Sequence, residues 1–196
     1  MVEQSDPQSA GPRPDHAPGG DSQDSGGGRN EGAGNNNENG RVRKYVVVVD
    51  QTPECRVALR YAAGRARHTP GGQVMIVYVM PPLEFVQWGG VQSVMEQEAR
   101  EQAEALLEAF AVDVRNICGC PAQIDIRQGK AAEQVLAAVR DDPNVVRLVL
   151  AASPKGEPGP LVNFFSGQIS GSLPCPVTIV PGSLTPEATD AIAQID

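Results

Sequence analysis

Residues 44–54 read KYVVVVDQTPE, and this stretch decides the fold. One tyrosine and four consecutive valines make a run that is too short for a buried helix and suits a strand buried on both faces. The strand closes at Asp50. Thr52 and Pro53 then predict the start of a helix, with threonine as the N-cap and proline at the first helical position. A buried strand followed directly by a helix is the opening of a β-α unit.

The same alternation of strands and amphipathic helices continues along the chain. Apolar runs and period-2 patterns predict further strands at residues 74–80, 122–126, 145–151 and 176–180. Apolar stripes at helical spacing predict a first helix that ends near residue 67 and others at about 93–117, 131–141 and 160–173. Such alternation indicates a parallel sheet with right-handed crossovers and helices on both faces. We expect a doubly wound α/β fold with five strands in the order 3-2-1-4-5, the third at an edge.

Composition divides the chain of 196 residues into three parts. Residues 1–42 are rich in Gly, Pro and Asn, and residues 1–40 carry seven acidic residues against two arginines. We expect a disordered acidic tail there, because so little apolar surface cannot offset the chain entropy. The tail is either a tether or solubility arm or an extension without a selected role. Residues 43–182 form the predicted α/β domain, and residues 183–196 are a C-terminal extension with one short predicted helix.

Charge and missing motifs exclude several classes of function. A net charge of −8 disfavours a nucleic acid or an anionic membrane as partner. No apolar run approaches the roughly 20 residues of a membrane-spanning helix, and the first 30 residues hold no apolar leader core, so we expect a cytoplasmic protein. The two histidines, His16 and His68, offer no Ser-His or Cys-His dyad, and the four cysteines make no CxxC pair. We therefore expect neither a metal site nor an efficient catalytic site.

Ligands of a doubly wound sheet bind at the carboxyl ends of its strands. Asp50 closes the first strand, where it could hold a ribose or a metal or only satisfy turn amides. The loop after the fourth strand contains Gly156 and Gly159 and ends at Pro160. Its backbone N–H groups, with Lys155 beside them, suit a phosphate. The alternative is that these glycines and prolines only form the turn between the fourth strand and the helix that follows, without a ligand.

Two glycines and three cysteines are further candidates for a functional role. Gly167 and Gly171 lie four residues apart on the predicted fourth helix, which favours close packing of that helix on the sheet. A shorter helix would instead offer Gly171 and Ser172 to a phosphate. The cysteines at residues 118 and 120 form a tight pair that suits a redox role, and Cys55, in the first turn of a helix, could have a lowered pKa.

In their order and spacing, these stretches resemble the universal stress protein family. The opening strand with its terminal Asp50, the Thr-Pro turn and the Ala-Leu-rich helix at 58–63 resemble the start of that domain. Residues 77–79, 127–130 and 148–151 resemble its later strand ends and the glycine turn, and PCPVTIVP at 174–181 resembles its last strand. The resemblance covers about residues 43–182.

The resemblance implies a five-stranded α/β fold, a homodimer formed through the last strand, and one of two branches, ATP-binding or non-binding. In the binding branch the Asp that ends strand one and the Val that ends strand two meet the adenosine. A Gly-x2-Gly-x9-Gly-Ser/Thr loop holds the phosphates, and Mg²⁺ accompanies the nucleotide. Carried over together with the glycine after strand three, the nucleotide-binding residues are Asp50, Val79, Gly129, Gly156, Gly159, Gly171 and Ser172.

The glycine loop departs from the family pattern, and two functions follow from that. Eleven residues separate Gly159 from Gly171 instead of nine, the first two glycines are displaced by about five residues, and Pro154 removes an N–H donor. The first function is a dimeric stress-response protein that binds ATP or another adenine nucleotide, with at most slow hydrolysis. The second is a non-binding dimeric module that acts on an unknown protein partner through its surface and acidic tail. A third alternative is a thiol-based sensor at Cys118 and Cys120.

Overall fold

The computed structural model describes residues 40–82, 89–167 and 169–194. Within these ranges the strands are β1 (Arg43–Val48), β2 (Gly72–Met80), β3 (Ala122–Gln128), β4 (Val145–Ala152) and β5 (Val177–Pro181). The helices are α1 (Cys55–Arg67), α2 (Gly89–Cys118), α3 (Ala131–Asp141), α4 (Pro160–Ser166) and α5 (Pro186–Gln194), with a short 3-10 helix at Ser170–Ser172. Apart from residues 40–42, the predicted acidic tail lies outside the described residues. None of the described helices is long and apolar enough to cross a membrane.

The strands form one parallel sheet in the order β3-β2-β1-β4-β5, which confirms the predicted fold and strand order. β1 is central, with Val47 opposite Ile76 of β2 on one side and Val149 of β4 on the other. β3 lies at an edge, as its alternating pattern predicted. The chain progresses outward from β1 to β3 and then returns to β4 and β5, so the strand order reverses between β1 and β4.

Consecutive valines of β1 belong to two separate hydrophobic cores. Val47 packs in a cluster with Leu59 of α1 and Phe110 of α2. Val46 packs on the opposite face, in a cluster that includes Phe165 of α4. Neighbouring side chains of a strand point to opposite faces, and complete burial of each valine stabilises the fold by about 1.5 to 3 kcal/mol relative to exposure. A strand with two buried faces therefore needs a continuous apolar run.

The fourth helix is shorter than the predicted span of residues 160–173. α4 ends at Ser166, whose hydroxyl donates to the carbonyl oxygen of Val162 at 2.7 Å. Gly167 follows with ψ −139°, outside the helical region, and Gly171 lies in the separate 3-10 helix. The prediction that these two glycines share a helix face against the sheet is therefore wrong, and both are exposed. Glycine has little helical preference, and the serine hydroxyl competes for the last carbonyl groups.

Two helices begin at other residues than predicted. α1 begins at Cys55 with Glu54 as its N-cap, so Thr52 and Pro53 lie in the preceding turn rather than at the start of the helix. α2 runs from Gly89 to Cys118, four residues earlier at its start than the predicted span of 93–117. Glycine in a helix costs only about 1 kcal/mol per residue relative to alanine, which a long helix tolerates.

The C-terminal helix α5 packs against α1. The two backbones approach closely at Gly64, where an added Cβ would lie 2.7 Å from the Cβ of Ala193. Nearby, Nε and Nη2 of Arg60 donate to the two carboxylate oxygens of Asp190, each at 2.6 Å. This two-pronged hydrogen bond from Arg60 lowers the pKa of Asp190 below its ordinary value. A close backbone approach and a bidentate ion pair thus fix α5 on α1.

A half-buried ion pair joins β1 to the turn before β4. Nζ of Lys44 lies 2.6 Å from Oδ2 of Asp142, and the two side chains are 15 % and 17 % exposed. The other carboxylate oxygen accepts the backbone N–H of Asn144 at 2.9 Å, and Lys44 also donates to Gln123 of β3 at 2.7 Å. The hydrogen bond from Lys44 holds the pKa of Asp142 below its ordinary value. Lys44 of β1 thus connects its own strand to β3 and to the turn before β4.

We expect Asp142→Asn to lower the free energy of unfolding by about 1 to 2 kcal/mol at pH 7, because Lys44 loses its charged partner. The folded-state pKa of Asp142 lies below its unfolded value of about 3.9. The stabilisation is therefore complete above that value and is lost as the pH falls through the folded-state pKa. Urea denaturation should therefore give the unchanged protein and Asp142→Asn free energies of unfolding that converge at acidic pH.

The matched control is Asp113→Asn, which breaks the exposed pair between Asp113 and Arg56. Its effect should stay below about 1 kcal/mol at every pH, because exposed ion pairs contribute little. Equal losses in the two variants, or a deficit of Asp142→Asn that persists in acid, would contradict the role of this carboxylate.

Candidate functional site

The carboxyl ends of β1 and β4, between which the strand order reverses, border a cavity of about 140 Å³. Val48 and Leu150 line it from the two strands, Asp50 and Thr52 from the turn after β1, and Gly159 from the loop after β4. Ligands of open α/β sheets bind in crevices at this place in the fold. We therefore take this cavity, called the β1–β4 cavity below, as the candidate site.

The turn after β1 is organised by the Asp50 carboxylate. Its Oδ1 accepts the backbone N–H of Thr52 at 2.9 Å and the Thr52 hydroxyl at 2.5 Å. An aspartate that bonds to the backbone two residues ahead forms an Asx turn. Both hydrogen bonds use the same oxygen, so the carboxylate holds the turn with Oδ1, while Oδ2 has no partner among the described residues and is available to a ligand.

Cys55 also lines the β1–β4 cavity, at the first residue of α1. Its thiol donates to the backbone carbonyl oxygen of Asp50 at 3.3 Å. Burial raises the pKa of this thiol above its ordinary value, so the expectation of a lowered pKa is wrong. Desolvation disfavours the charged thiolate and is the largest cause of this shift. The Cys55 thiol therefore lines the cavity as a neutral group at physiological pH.

The loop after β4, residues 153–160, is short of free backbone donors. Its three prolines carry no N–H group. The N–H of Ser153 donates to the Pro158 carbonyl oxygen at 3.2 Å, and that of Lys155 donates to the Ser153 hydroxyl at 3.4 Å. The loop has three other N–H groups, those of Gly156, Glu157 and Gly159. These three have no hydrogen-bond partner among the described residues.

The backbone of this loop requires glycine at two positions. Gly156 and Gly159 have φ values of 73° and 108°, in a region that residues other than glycine rarely adopt. An added Cβ at either residue would meet no atom within 4 Å, so the space beside both is open. The two glycines thus serve the conformation of the loop and also leave room for a ligand to approach its backbone.

The other predicted nucleotide-binding residues lie outside the lining of the β1–β4 cavity. Val79 lies on β2 and packs with the cluster that contains Val46. Gly129, with φ 134°, donates its N–H to the Met80 carbonyl oxygen at 2.9 Å. Gly171 and Ser172 are exposed in the 3-10 helix. The N–H and the hydroxyl of Ser172 both donate to the Ile169 carbonyl oxygen, at 2.9 and 3.0 Å.

Asp50 and Gly159 are thus the two predicted residues that line the cavity. The lining also includes Thr52, Cys55 and Leu150, which were not among the predicted binding residues. The available signal for them was position: two follow Asp50 within five residues, and the third lies near the end of a buried strand. Their convergence depends on the register between β1 and β4, which the sequence does not display.

The β1–β4 cavity is acidic and small. Asp50 and Glu54 line it, and no basic side chain among the described residues does; Lys155 is exposed on the neighbouring loop. Pockets for small molecules commonly measure about 300 to 1,000 Å³, so 140 Å³ has room for a ring or a sugar rather than a whole nucleotide. Within the described ranges no group of three or more His, Cys, Asp or Glu residues could hold a metal ion. A cation here would need oxygen atoms of the ligand to complete its coordination.

A larger cavity, of about 350 Å³, lies between α1, α2 and the start of α5, away from the strand ends. The charged side chains that line it are already paired: Arg56 with Asp113 at 2.9 Å, and Arg60 with Asp190 at 2.6 Å. Charges that are satisfied within the protein leave little to recognise a polar ligand. Position in the fold and available polar groups therefore favour the β1–β4 cavity despite its smaller volume.

Gly182, just after β5, positions the loop that follows β4. Its N–H donates to the Ala152 carbonyl oxygen at 2.8 Å. An added Cβ at Gly182 would lie 2.7 Å from that same oxygen, 2.6 Å from the Cβ of Glu54 and 3.2 Å from Cδ of Pro154. The turn before α1 and the end of β4 with its loop therefore meet at a residue that has no room for a side chain.

Comparison with known proteins gives a family and a fold. The sequence model of the Universal stress protein family matches residues 41–181. No curated protein matches the chain in sequence. The universal stress protein UspA from Lactobacillus plantarum is 16 % identical with a TM-score of 0.58, over 71 % of this chain and 98 % of that one. A universal stress protein from Archaeoglobus fulgidus is 18 % identical with a TM-score of 0.53, over 70 % and 92 %. At these identities the structural likeness shows the fold.

We expect Gly182→Ala to lower the free energy of unfolding by about 1 to 3 kcal/mol, because the new methyl group would overlap backbone and side-chain atoms. Gly171→Ala is the matched control, since an added Cβ there meets nothing within 4 Å. Its effect should stay within about 0.5 kcal/mol. Urea denaturation measures both. Equal stabilities of the two variants would contradict this prediction, because the loop would then have shifted to make room for the methyl group at residue 182.

Proposed function

This chain belongs to the universal stress protein family, and we propose that it is a dimeric stress-response protein that binds an adenine nucleotide in the β1–β4 cavity. The main support is the convergence of Asp50, Thr52 and Gly159 on one cavity where the strand order reverses. We also propose the cytoplasm as its compartment, since adenine nucleotides are made and used there.

The adenosine part of the ligand fits the cavity best. Val48 and Leu150 give an apolar surface for a ring. Oδ2 of Asp50 is the natural acceptor for a ribose hydroxyl, because Oδ1 is occupied by Thr52. The available volume of about 140 Å³ agrees with the ring or the sugar of the nucleotide inside the cavity and the rest of the nucleotide outside it.

The phosphates would then lie along the loop after β4. The N–H groups of Gly156, Glu157 and Gly159 are the loop's remaining donors, and Lys155 supplies a positive charge. Asp50 and Glu54 would repel a bare triphosphate. A divalent cation bound to the phosphate oxygens offsets that repulsion, so we propose that ATP binds as its Mg²⁺ complex.

A second function is favoured by the prolines of the loop and by the edge of the sheet. Pro154, Pro158 and Pro160 remove donors that phosphate binding would use. β5 is an edge strand, and Ile179 on it is 40 % exposed. An apolar side chain on an open strand edge suits pairing with a second copy of the chain. In this alternative the dimer binds no nucleotide and acts through its surface.

The binding proposal is tested on purified protein. After denaturation, chromatography and mass analysis should detect about one adenine nucleotide per chain, or else calorimetry should show binding of ATP with Mg²⁺. Asp50→Asn keeps an oxygen for the Thr52 N–H and removes the charged ribose acceptor. We expect it to weaken binding about tenfold, which corresponds to about 1.4 kcal/mol.

Asp113→Asn serves as the control, because it removes an exposed carboxylate that does not line the cavity. It should leave the affinity unchanged. An empty protein with no calorimetric response to ATP and Mg²⁺ would refute nucleotide binding and favour the surface-acting dimer. An equal loss of affinity in both variants would instead place the nucleotide elsewhere.

The dimer is tested by Ile179→Asp. A carboxylate on the open edge of β5 should raise the dimer dissociation constant at least tenfold, as light scattering coupled to gel filtration would measure. Ile192→Asp is the matched control, because Ile192 is 41 % exposed on α5 rather than on the sheet. Dissociation of both variants, or of neither, would contradict an interface through β5.

A further inference from the structure

Two cysteines meet at the junction between α2 and β3. α2 ends at Cys118, and Gly119 turns the chain with φ 74°. Cys120 follows, and β3 begins at Ala122. The structure joins the two cysteines in a disulfide with their Cα atoms 5.3 Å apart. The spacing of two residues makes this bridge entirely local.

Such a local bridge contributes little to holding the fold together. The stabilisation by a disulfide grows with the length of chain that it closes, and this one closes only three residues. The elements on both sides have their own supports: the Gly119 N–H donates to the Arg115 carbonyl oxygen at 2.9 Å, and β3 pairs with β2 along its whole length. The junction therefore does not need the bond for its structure.

The bridge is accessible, whereas the chain's other two cysteines are not. Cys118 and Cys120 are half-buried, and the residues beside them, Gly119 and Pro121, are exposed. An added Cβ at Gly119 would meet no atom within 4 Å, so the space next to the bridge is open to a small molecule. Cys55 and Cys175 are free and buried. Intramolecular exchange of the bridge with these two thiols is therefore blocked by burial.

The surrounding backbone distinguishes the two sulfur atoms. The N–H of Cys120 donates to Sγ of Cys118 at 3.1 Å. A thiolate at Cys118 would keep this donor, which offsets the unfavourable C-terminal end of the α2 dipole. Cys118 is therefore the better leaving group, and Cys120 is the sulfur that an incoming thiolate should attack.

We propose that Cys118 and Cys120 form a reversible dithiol–disulfide site that exchanges with a low-molecular-weight thiol such as glutathione. The thiolate forms a bond to Sγ of Cys120, the bond between the two cysteines breaks, and Cys118 leaves as a thiolate that takes up a proton. A second thiolate attacks the mixed disulfide at the sulfur of the small thiol, which releases Cys120. The protein disulfide is reduced by two electrons, and two small thiols are oxidised to their disulfide. The reverse reaction closes the bridge.

Neither cysteine lines the β1–β4 cavity, so alkylation of the full chain tests this site separately from nucleotide binding. Protein equilibrated with oxidised glutathione, then denatured and treated with iodoacetamide, should take up two alkyl groups, at Cys55 and Cys175. Incubation of the native protein with reduced glutathione before denaturation should raise the count to four. A series of glutathione buffers should give one reversible transition between the two counts.

Variants separate this site from general thiol chemistry. Cys118→Ser should leave Cys120 able to take up one glutathione in the native state, because no partner sulfur remains to expel it. Cys175→Ser is the matched control: it should lower both alkylation counts by one and leave the transition in the same buffer. Four alkyl groups after oxidation would overturn the proposal. A bridge that reduced glutathione opens only in denaturant would equally overturn it, since the bond would then be structural.

Discussion

The burial of β1 on both faces is the constraint on which the rest of the structure depends. Val46 and Val47 are neighbours in sequence, yet each is completely buried in a different core. The central strand therefore has to be covered by helices on two sides and flanked by β2 and β4. Since parallel strands need long crossovers, the helices that cover β1 are the ones that connect the strands. One short apolar run thus determines layers, topology and the place where the strand order reverses.

Features that arise from a buried strand could be predicted from the sequence, and features that arise from local competition could not. The continuous valine run and the repeated β-α alternation led to the observed sheet and strand order. The end of α4 could not be predicted in this way, because it depends on a serine hydroxyl that competes for one carbonyl group and on the backbone angles of Gly167. The pKa of Cys55 depends on a burial that only the assembled fold creates.

The candidate site illustrates the same division. Asp50 and Gly159 could be proposed from their positions after strands, and both line the β1–β4 cavity. Thr52 joins the lining through the Asx turn, and Leu150 through the register of β4 with β1, and neither feature is visible as a sequence motif. Gly171 and Ser172 lie in a separate helical turn with their own hydrogen bonds. The site is therefore built by one turn and one loop, and the loop's prolines set how many donors it can offer.

The contact between α1 and α5 has a consequence for what counts as the domain. The family match ends at residue 181, whereas Thr189 and Ala193 of α5 are buried, the latter against Gly64. Residues beyond the family segment thus pack against its first helix. The segment that matches the family and the segment that packs around the core therefore differ in this chain, because the packed segment extends into α5. Truncation after residue 181 would keep the whole family segment and yet expose the face of α1 around Gly64.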